Sequence, residues 1–252
     1  MKTRYLILLG VAAYLLTVLL VFPASPVVAS INTQPLQVLG ISGSVWSGRA
    51  ARVQAPDAPP LDSLNWSFRP LALFTGALGA DIDFDLLGGR GEAAVARSFS
   101  GSTRIDSANL RFPAKQLEPW LPLPIASFDG AIELDLADAV IAAQGLEHLE
   151  GQLRWREARL QTPVAANLGE ILLDIAPSDD GAHRGELSSQ GGELELSGKL
   201  NLDPRGRLMV DISLKPRDNA SPGLRDSLNL LGRPRADGSY QIRQRLSLSD
   251  LM

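Results

Sequence analysis

The chain has 252 residues, 45% hydrophobic and 21% charged, a balance that supports a packed core and excludes a disordered segment. Its formal charge of −4 places all 28 acidic residues and all but two of the 24 basic ones after residue 30, which excludes the basic surface needed to bind duplex nucleic acid. The absence of cysteine excludes disulfides, zinc-thiolate centres and thiol nucleophiles, although a single all-β domain of this length can bury enough apolar surface without them.

Lys2 and Arg4 precede an uncharged run over residues 5–22, and the next charged residue is Arg49. Such a run rises about 27 Å as an α-helix, close to the ~30 Å hydrocarbon core and longer than the roughly 7–15 residues of a signal-peptide core. A buried helix would show a polar face, whereas this run has only Thr17 and two tyrosines to interrupt it. The expected organisation is a cytoplasmic N terminus over residues 1–4, a single transmembrane anchor over 5–25 and an extracytoplasmic β-domain over 26–252, with Lys2 and Arg4 holding the N terminus inside. Val27-Val28-Ala29 forms a pattern that a signal peptidase could cut before Ser30; cleavage would leave the β-domain in the same compartment.

From residue 38 onward apolar residues recur mostly at every second position, with Gly, Pro, Asp and Asn breaking the pattern about every ten residues, the signature of an antiparallel meander. In residues 78–86, Leu78, Ala80, Ile82, Phe84 and Leu86 alternate with Asp81, Asp83 and Asp85. The alternation returns at Ile132, Leu134 and Leu136, at Ile171, Leu173 and Ile175, at Leu194 and Leu196, at Leu208, Val210, Ile212 and Leu214, and at Tyr240, Ile242, Leu246 and Leu248. Each strand is expected to have one wet face. Helix is confined to residues 114–121, interrupted by Pro119, and residues 222–231, where Ser221 is an N-cap, Pro222 the first helical residue and Gly232 the stop. Leu224, Leu228 and Leu231 give the second helix one apolar stripe. Residues 53–63 and 176–181 read as loops. Gly43 to Trp46 and Gly151 to Trp155 echo one another as repeated β-units.

No catalytic constellation emerges, and an enzyme is not expected. His148 and His183 are the only neutral-pH bases; no nucleophile motif accompanies them, and both are expected to be solvent-exposed, His183 in the turn after Asp179-Asp180-Gly181. Gly88-Gly89-Arg90-Gly91 reads as a turn rather than a phosphate cradle. Asp81, Asp83 and Asp85 lie on one flat strand and cannot converge on a metal without partners from elsewhere, so no metal or cofactor is expected. Of the four tryptophans, Trp46, Trp66 and Trp155 are expected in strands, with packing roles. Charge does shift along the chain: from residue 205 onward nine basic residues face five acidic ones. Arg233, Arg235, Arg243 and Arg245 are the candidate partner contacts, the alternative being the solvated face of a last strand.

The segment Gly43-Ser44-Val45-Trp46-Ser47-Gly48-Arg49-Ala50, followed by Leu64-Asn65-Trp66-Ser67-Phe68-Arg69-Pro70, resembles the type II secretion system protein N family. Gly151-x-Leu153-x-Trp155 and the Leu228-to-Gly232 helix end leading to Asp237-Gly238-Ser239-Tyr240 extend the likeness over nearly the whole chain, with Gly43, Trp46, Gly48, Trp66 and Trp155 as its structural signature. The resemblance implies a non-catalytic accessory subunit in the inner membrane of Gram-negative bacteria, a scaffold or adaptor with a periplasmic domain whose partners are other secretion subunits. A remoter likeness to AsmA-like proteins implies a curved antiparallel sheet and, as the rival function, a carrier of envelope lipid or another hydrophobic ligand.

Overall fold

The computed structural model describes residues 35–56, 58–120, 127–162, 164–204 and 206–247, with residues 23 and 24. Residues 5–22 of the expected anchor, the cleavage pattern at Ser30 and Leu248 lie outside the described residues, as do the side chains of Leu231 and Leu246. Among the described residues no helix is long and apolar enough to cross a membrane.

Among the described residues fourteen strands form one antiparallel sheet. They are β1 (Gln37–Leu39), β2 (Ser42–Gly43), β3 (Ser47–Gln54), β4 (Leu61–Arg69), β5 (Ala77–Leu86), β6 (Gly89–Ser98) and β7 (Thr103–Pro113). There follow β8 (Ser127–Ala142), β9 (Gly145–Thr162), β10 (Ala166–Pro177), β11 (His183–Gln190), β12 (Leu194–Leu202), β13 (Arg207–Pro216) and β14 (Tyr240–Ser247). From β3 to β14 each strand pairs with its neighbours in sequence, while β1 and β2 share the outer edge of β3. The expected meander is present.

The register shows why alternation in the sequence is so regular. One cross-strand row runs Phe84, Gly91, Leu110, Leu134, Leu153, Leu173, Leu187, Gly198, Ile212, Ile242, apolar or glycine on ten successive strands. The adjacent row runs Asp83, Glu92, Asn109, Asp135, Gln152, Asp174, Glu186, Lys199, Asp211, Arg243 and is polar throughout. A slip of one residue in any strand would exchange the two rows locally, so the apolar face fixes the pairing. The glycines are where neighbouring side chains fold across: a Cβ on Gly91 would meet the Phe84 ring at 2.5 Å.

Two coverings lie on the apolar face. Helix α1 (Pro222–Leu231) begins with Ser221 Oγ accepting from Leu224 N–H at 3.4 Å, as its sequence predicts, and seats the buried Leu224 and Leu228 against Leu194, Leu214 and Tyr240. The Glu193 carboxylate accepts from the Asn167 and Ser221 amides at 3.1 and 2.8 Å, tying the start of α1 to β10 and the β11–β12 turn; these bonds hold its carboxyl below the usual range. Over β7 and β8, the short 3₁₀ helix Ala114–Trp120 adjoins a second cluster, Phe112, Ala114 and Ile132, flanked by Phe128 and Trp155. No large side chain among the described residues is fully buried. The mid-sheet apolar row is half-buried by its own neighbours.

Several expectations change. Residues 53, 54 and 61–63 belong to β3 and β4, so the connection between these strands is shorter than expected, and residues 176 and 177 end β10. Trp46 sits in the bend between β2 and β3, not in a strand. A 3₁₀ helix, Pro70–Thr75, stops at Gly76 in the left-handed region (φ 75°), although Leu71 and Leu73 carry strand-like alternation. β8 and β9 are 16 and 18 residues long, well beyond a ten-residue interval, because register shifts at Asp129/Ala131, Leu136/Asp138 and Val140/Ile141 invert the alternation without ending the strands.

Candidate interaction surfaces

The tryptophans of the signature pack against glycines, rings and backbone within the sheet. Trp66 lies over Gly48, where a Cβ would meet its ring at 2.4 Å, and its Nε1–H donates to Val45 O at 3.2 Å. Trp46 packs edge-on against Phe68 with centroids 4.8 Å apart. Gly43 (φ 92°) faces Gly48, with room for neither to carry a side chain. Trp155 repeats the device beside Gly130, donating to Asp129 O at 3.0 Å and meeting Phe128 edge-on at 5.8 Å.

The polar face is an ion-pair ladder. Arg111 and Arg156 reach Glu133 at 3.2 and 2.9 Å, Arg154 reaches Glu170 at 3.3 Å, Arg69 joins Asp106 at 2.6 Å and Asp81 at 3.4 Å, and Gln152 donates to Asp174 at 2.6 Å. The more exposed of such pairs contribute about 1 kcal/mol or less each, but together they neutralise the acidic strand faces locally. Among the described residues Asp81, Asp83 and Asp85 form no cluster able to hold a metal ion.

His148 stands on that face, 3.9 Å from Asp138 and 4.0 Å from Glu150. His183 departs from expectation. It is the first residue of β11, between Pro177 and Leu202 on the apolar face, 4% exposed and with Nε2 unpartnered. The sequence places it after an acidic turn; only the pairing turns it inward. Burial, with a smaller push from His148, lowers its pKa below the ordinary 6.5. The unfolded chain therefore takes up a proton near pH 6.5 that the folded chain resists, so stability is full above that pH and falls as pH drops toward the folded value. Denaturation midpoints at pH 7.5 and 5.5 are expected to lie closer together in His183→Leu than in the wild type; an unchanged gap would remove His183 as the cause.

The four candidate arginines lie at the C-terminal border of the sheet. β14 pairs with β13 on one side only among the described residues, and its eight residues make the long open edge; at the opposite border the three-residue β1 and two-residue β2 are short. Arg243 and Arg245 project from β14 on the polar face. Arg243 meets Asp211 at 3.0 Å, and Arg245 stands across from the exposed Met209. The Gln241 amide first, then Arg243 with a smaller push from Arg235, hold the Asp211 carboxyl below its ordinary value. Arg233 and Arg235 are exposed in the connection from α1 to β14, where Arg235 N–H donates to Ser239 O at 2.8 Å. The partial neutralisation by Asp211 was not visible in the sequence, since 32 residues separate it from Arg243.

The family model for type II secretion system (T2SS), protein N, matches residues 34–243. The type II secretion system protein N of Vibrio cholerae serotype O1 is 30% identical over 217 residues, 83% of this chain and 84% of its own length. That of Aeromonas hydrophila is 28% identical over 256 aligned positions, 96% of this chain and 98% of its own, and that of Pectobacterium carotovorum subsp. carotovorum 25% identical over 247, 96% and 97%. No solved structure matches.

Proposed function

The chain belongs to the type II secretion system protein N family, and from that membership we propose that it is a non-catalytic adaptor of the secretion apparatus, held in the inner membrane by the anchor whose apolar run is residues 5–22, with its β-domain in the periplasm. The β14 edge carries the reading. Its outward amides and carbonyls suit an added strand from another secretion subunit, and Arg245, Arg235 and Arg233 beside it steer an acidic partner, with each exposed contact worth about 1 kcal/mol or less. Short β1 and β2 leave less backbone to pair at the other border.

Arg243→Glu with Arg245→Glu is expected to keep the fold, since both side chains are exposed, and to reduce co-purification of secretion subunits most strongly at low salt. Equal recovery across a salt series would take Arg243 and Arg245 out of the mechanism. The half-buried apolar row supports a second reading, the carrier of a hydrophobic ligand. A deletion strain that secretes folded exoproteins normally but changes its envelope lipids would favour the carrier over the adaptor.

A further inference from the structure

The turns closing the end of the sheet where β3 begins divide into two groups. Residues 44–46, 70–76, 99–102 and 143–144 contain no charged residue, whereas the later turns at this end contain Asp179, Asp180 and Asp203. From the uncharged group project Leu71, Phe74 and Phe99, which are 76%, 89% and 69% exposed, and Leu73, Leu78 and Ile141 are exposed in the same turns or in the strand ends next to them. Three large apolar side chains this exposed at one end of the sheet, two of their turns joined through Gly76 and Phe99, mark a candidate interaction site. The backbone beneath is largely satisfied: Thr75 Oγ1 donates to Ala72 O at 2.8 Å, Gly76 N–H to Leu73 O at 3.1 Å, and Phe99 N–H to Gly76 O at 3.0 Å, tying two of the turns together. A tip that offers carbon outward and keeps its polar groups paired can enter lipid at low cost.

The attachment of the chain identifies the occupant. The apolar run of residues 5–22 ends one residue before Pro23, and Pro23 forms a β-bridge with Ser44 in the first of the uncharged turns. Two residues on, Trp46 packs on Phe68, which leads through Arg69 into the Pro70–Thr75 helix. A bilayer that takes up the run therefore meets this end of the sheet. Behind the tip, Arg49 and Arg97 donate to the hydroxyls of Ser42 and Thr103 at 3.1 and 2.7 Å, which leaves their charge for anionic headgroups. We propose that the uncharged end of the sheet rests in the surface of the inner membrane, with Leu71, Phe74 and Phe99 inserted among the lipids, so that the anchor and the tip together fix the orientation of the β-domain. This inference rests on the anchoring given above.

Because the chain has no cysteine, Phe74→Cys, Phe99→Cys and Leu230→Cys each give the full-length protein a single attachment point for an environment-sensitive nitrobenzoxadiazole label. Leu230 on α1, 88% exposed at the other end of the sheet, controls for apolar exposure alone. In phosphatidylethanolamine–phosphatidylglycerol vesicles, labels at 74 and 99 are expected to shift their emission to the blue and to be quenched by spin-labelled lipid, while the label at 230 does neither. Water-like emission at 74 and 99 in vesicles that retain the protein on flotation overturns the inference and leaves the anchoring intact; failure to float overturns both. Labels that are water-like in vesicles yet shielded in native envelopes would assign the tip to a protein partner and overturn insertion, as would an equal response at all three positions.

Discussion

Replacing Leu224 and Leu228 together by alanine is expected to destabilise the protein by roughly 4 kcal/mol and to release the C-terminal strand. Each side chain is 5% exposed in the cluster with Leu194, Leu214 and Tyr240, and a buried leucine cut to alanine costs about 2–5 kcal/mol. The low end applies to each, because the surrounding Leu196, Ile212 and Ile242 are only partly buried and can relax toward the gap. Loss of α1 reaches β14 directly: Tyr240 O–H donates to Asn229 Oδ1 at 2.7 Å, and Tyr240 opens the strand that pairs with β13. Urea denaturation of the full chain in detergent, followed by circular dichroism, should show a lowered midpoint, and partner capture through the β14 edge should fall with it. Leu230→Ala, on the exposed face of the same helix, is expected to change stability by about 0.5 kcal/mol or less. If the two variants behaved alike, the burial of Leu224 and Leu228 would not be what holds this end of the sheet.

Gly48→Val is expected to cost about 3 kcal/mol, at the upper end of ordinary overpacking. Its first side-chain carbon would lie 2.4 Å from Trp66 Cζ2 and 2.7 Å from the backbone oxygen of Ser42, so relief requires moving an indole, a strand, or both. Moving the indole breaks its bond to Val45 O; moving Ser42 separates β2 from β3 at the Ser42–Arg49 and Gly43–Gly48 pairs. Displacement of Trp66 should red-shift the tryptophan emission along with a lower denaturation midpoint. Combining Gly48→Ala with Trp66→Leu should recover part of the loss relative to Gly48→Ala alone, since the smaller side chain vacates the contested space. A full loss in the double variant would place the strain in the backbone contact instead.

The Trp66–Gly48 pair shows how far residue types carry. Glycine and tryptophan at the proper interval mark a packed hairpin, but which tryptophan covers which glycine follows from the β3–β4 register, where Gly48 stands opposite Trp66. Trp46, read as a strand residue because it lies in the same short motif, instead turns the corner before β3 and packs on Phe68. Of the partner-contact group, Arg243 and Arg245 could be placed on a terminal strand from alternation alone. The capture of Arg243 by Asp211 depends on a cross-strand pair that alternation does not name.

By itself the amino-acid order determined the class of the fold and the two faces of its sheet. An apolar residue at every second position leaves an extended chain one consistent way to hide carbon, and the Ser221, Pro222 and Gly232 signals delimit α1 because caps and stops act within a few residues. Tertiary structure decided whatever rests on pairing between distant segments. The bulges that let β8 and β9 run to 16 and 18 residues interrupt local periodicity, so they read as strand ends until the partner strand continues past them. His183 is buried because β10 and β12 set Pro177 and Leu202 on either side of it, against the polarity of the turn that precedes it. The uncharged tip joins Leu71, Phe74 and Phe99 from turns separated by more than twenty residues. No local window contains such a surface; it exists because a meander returns every second turn to the same end of the sheet.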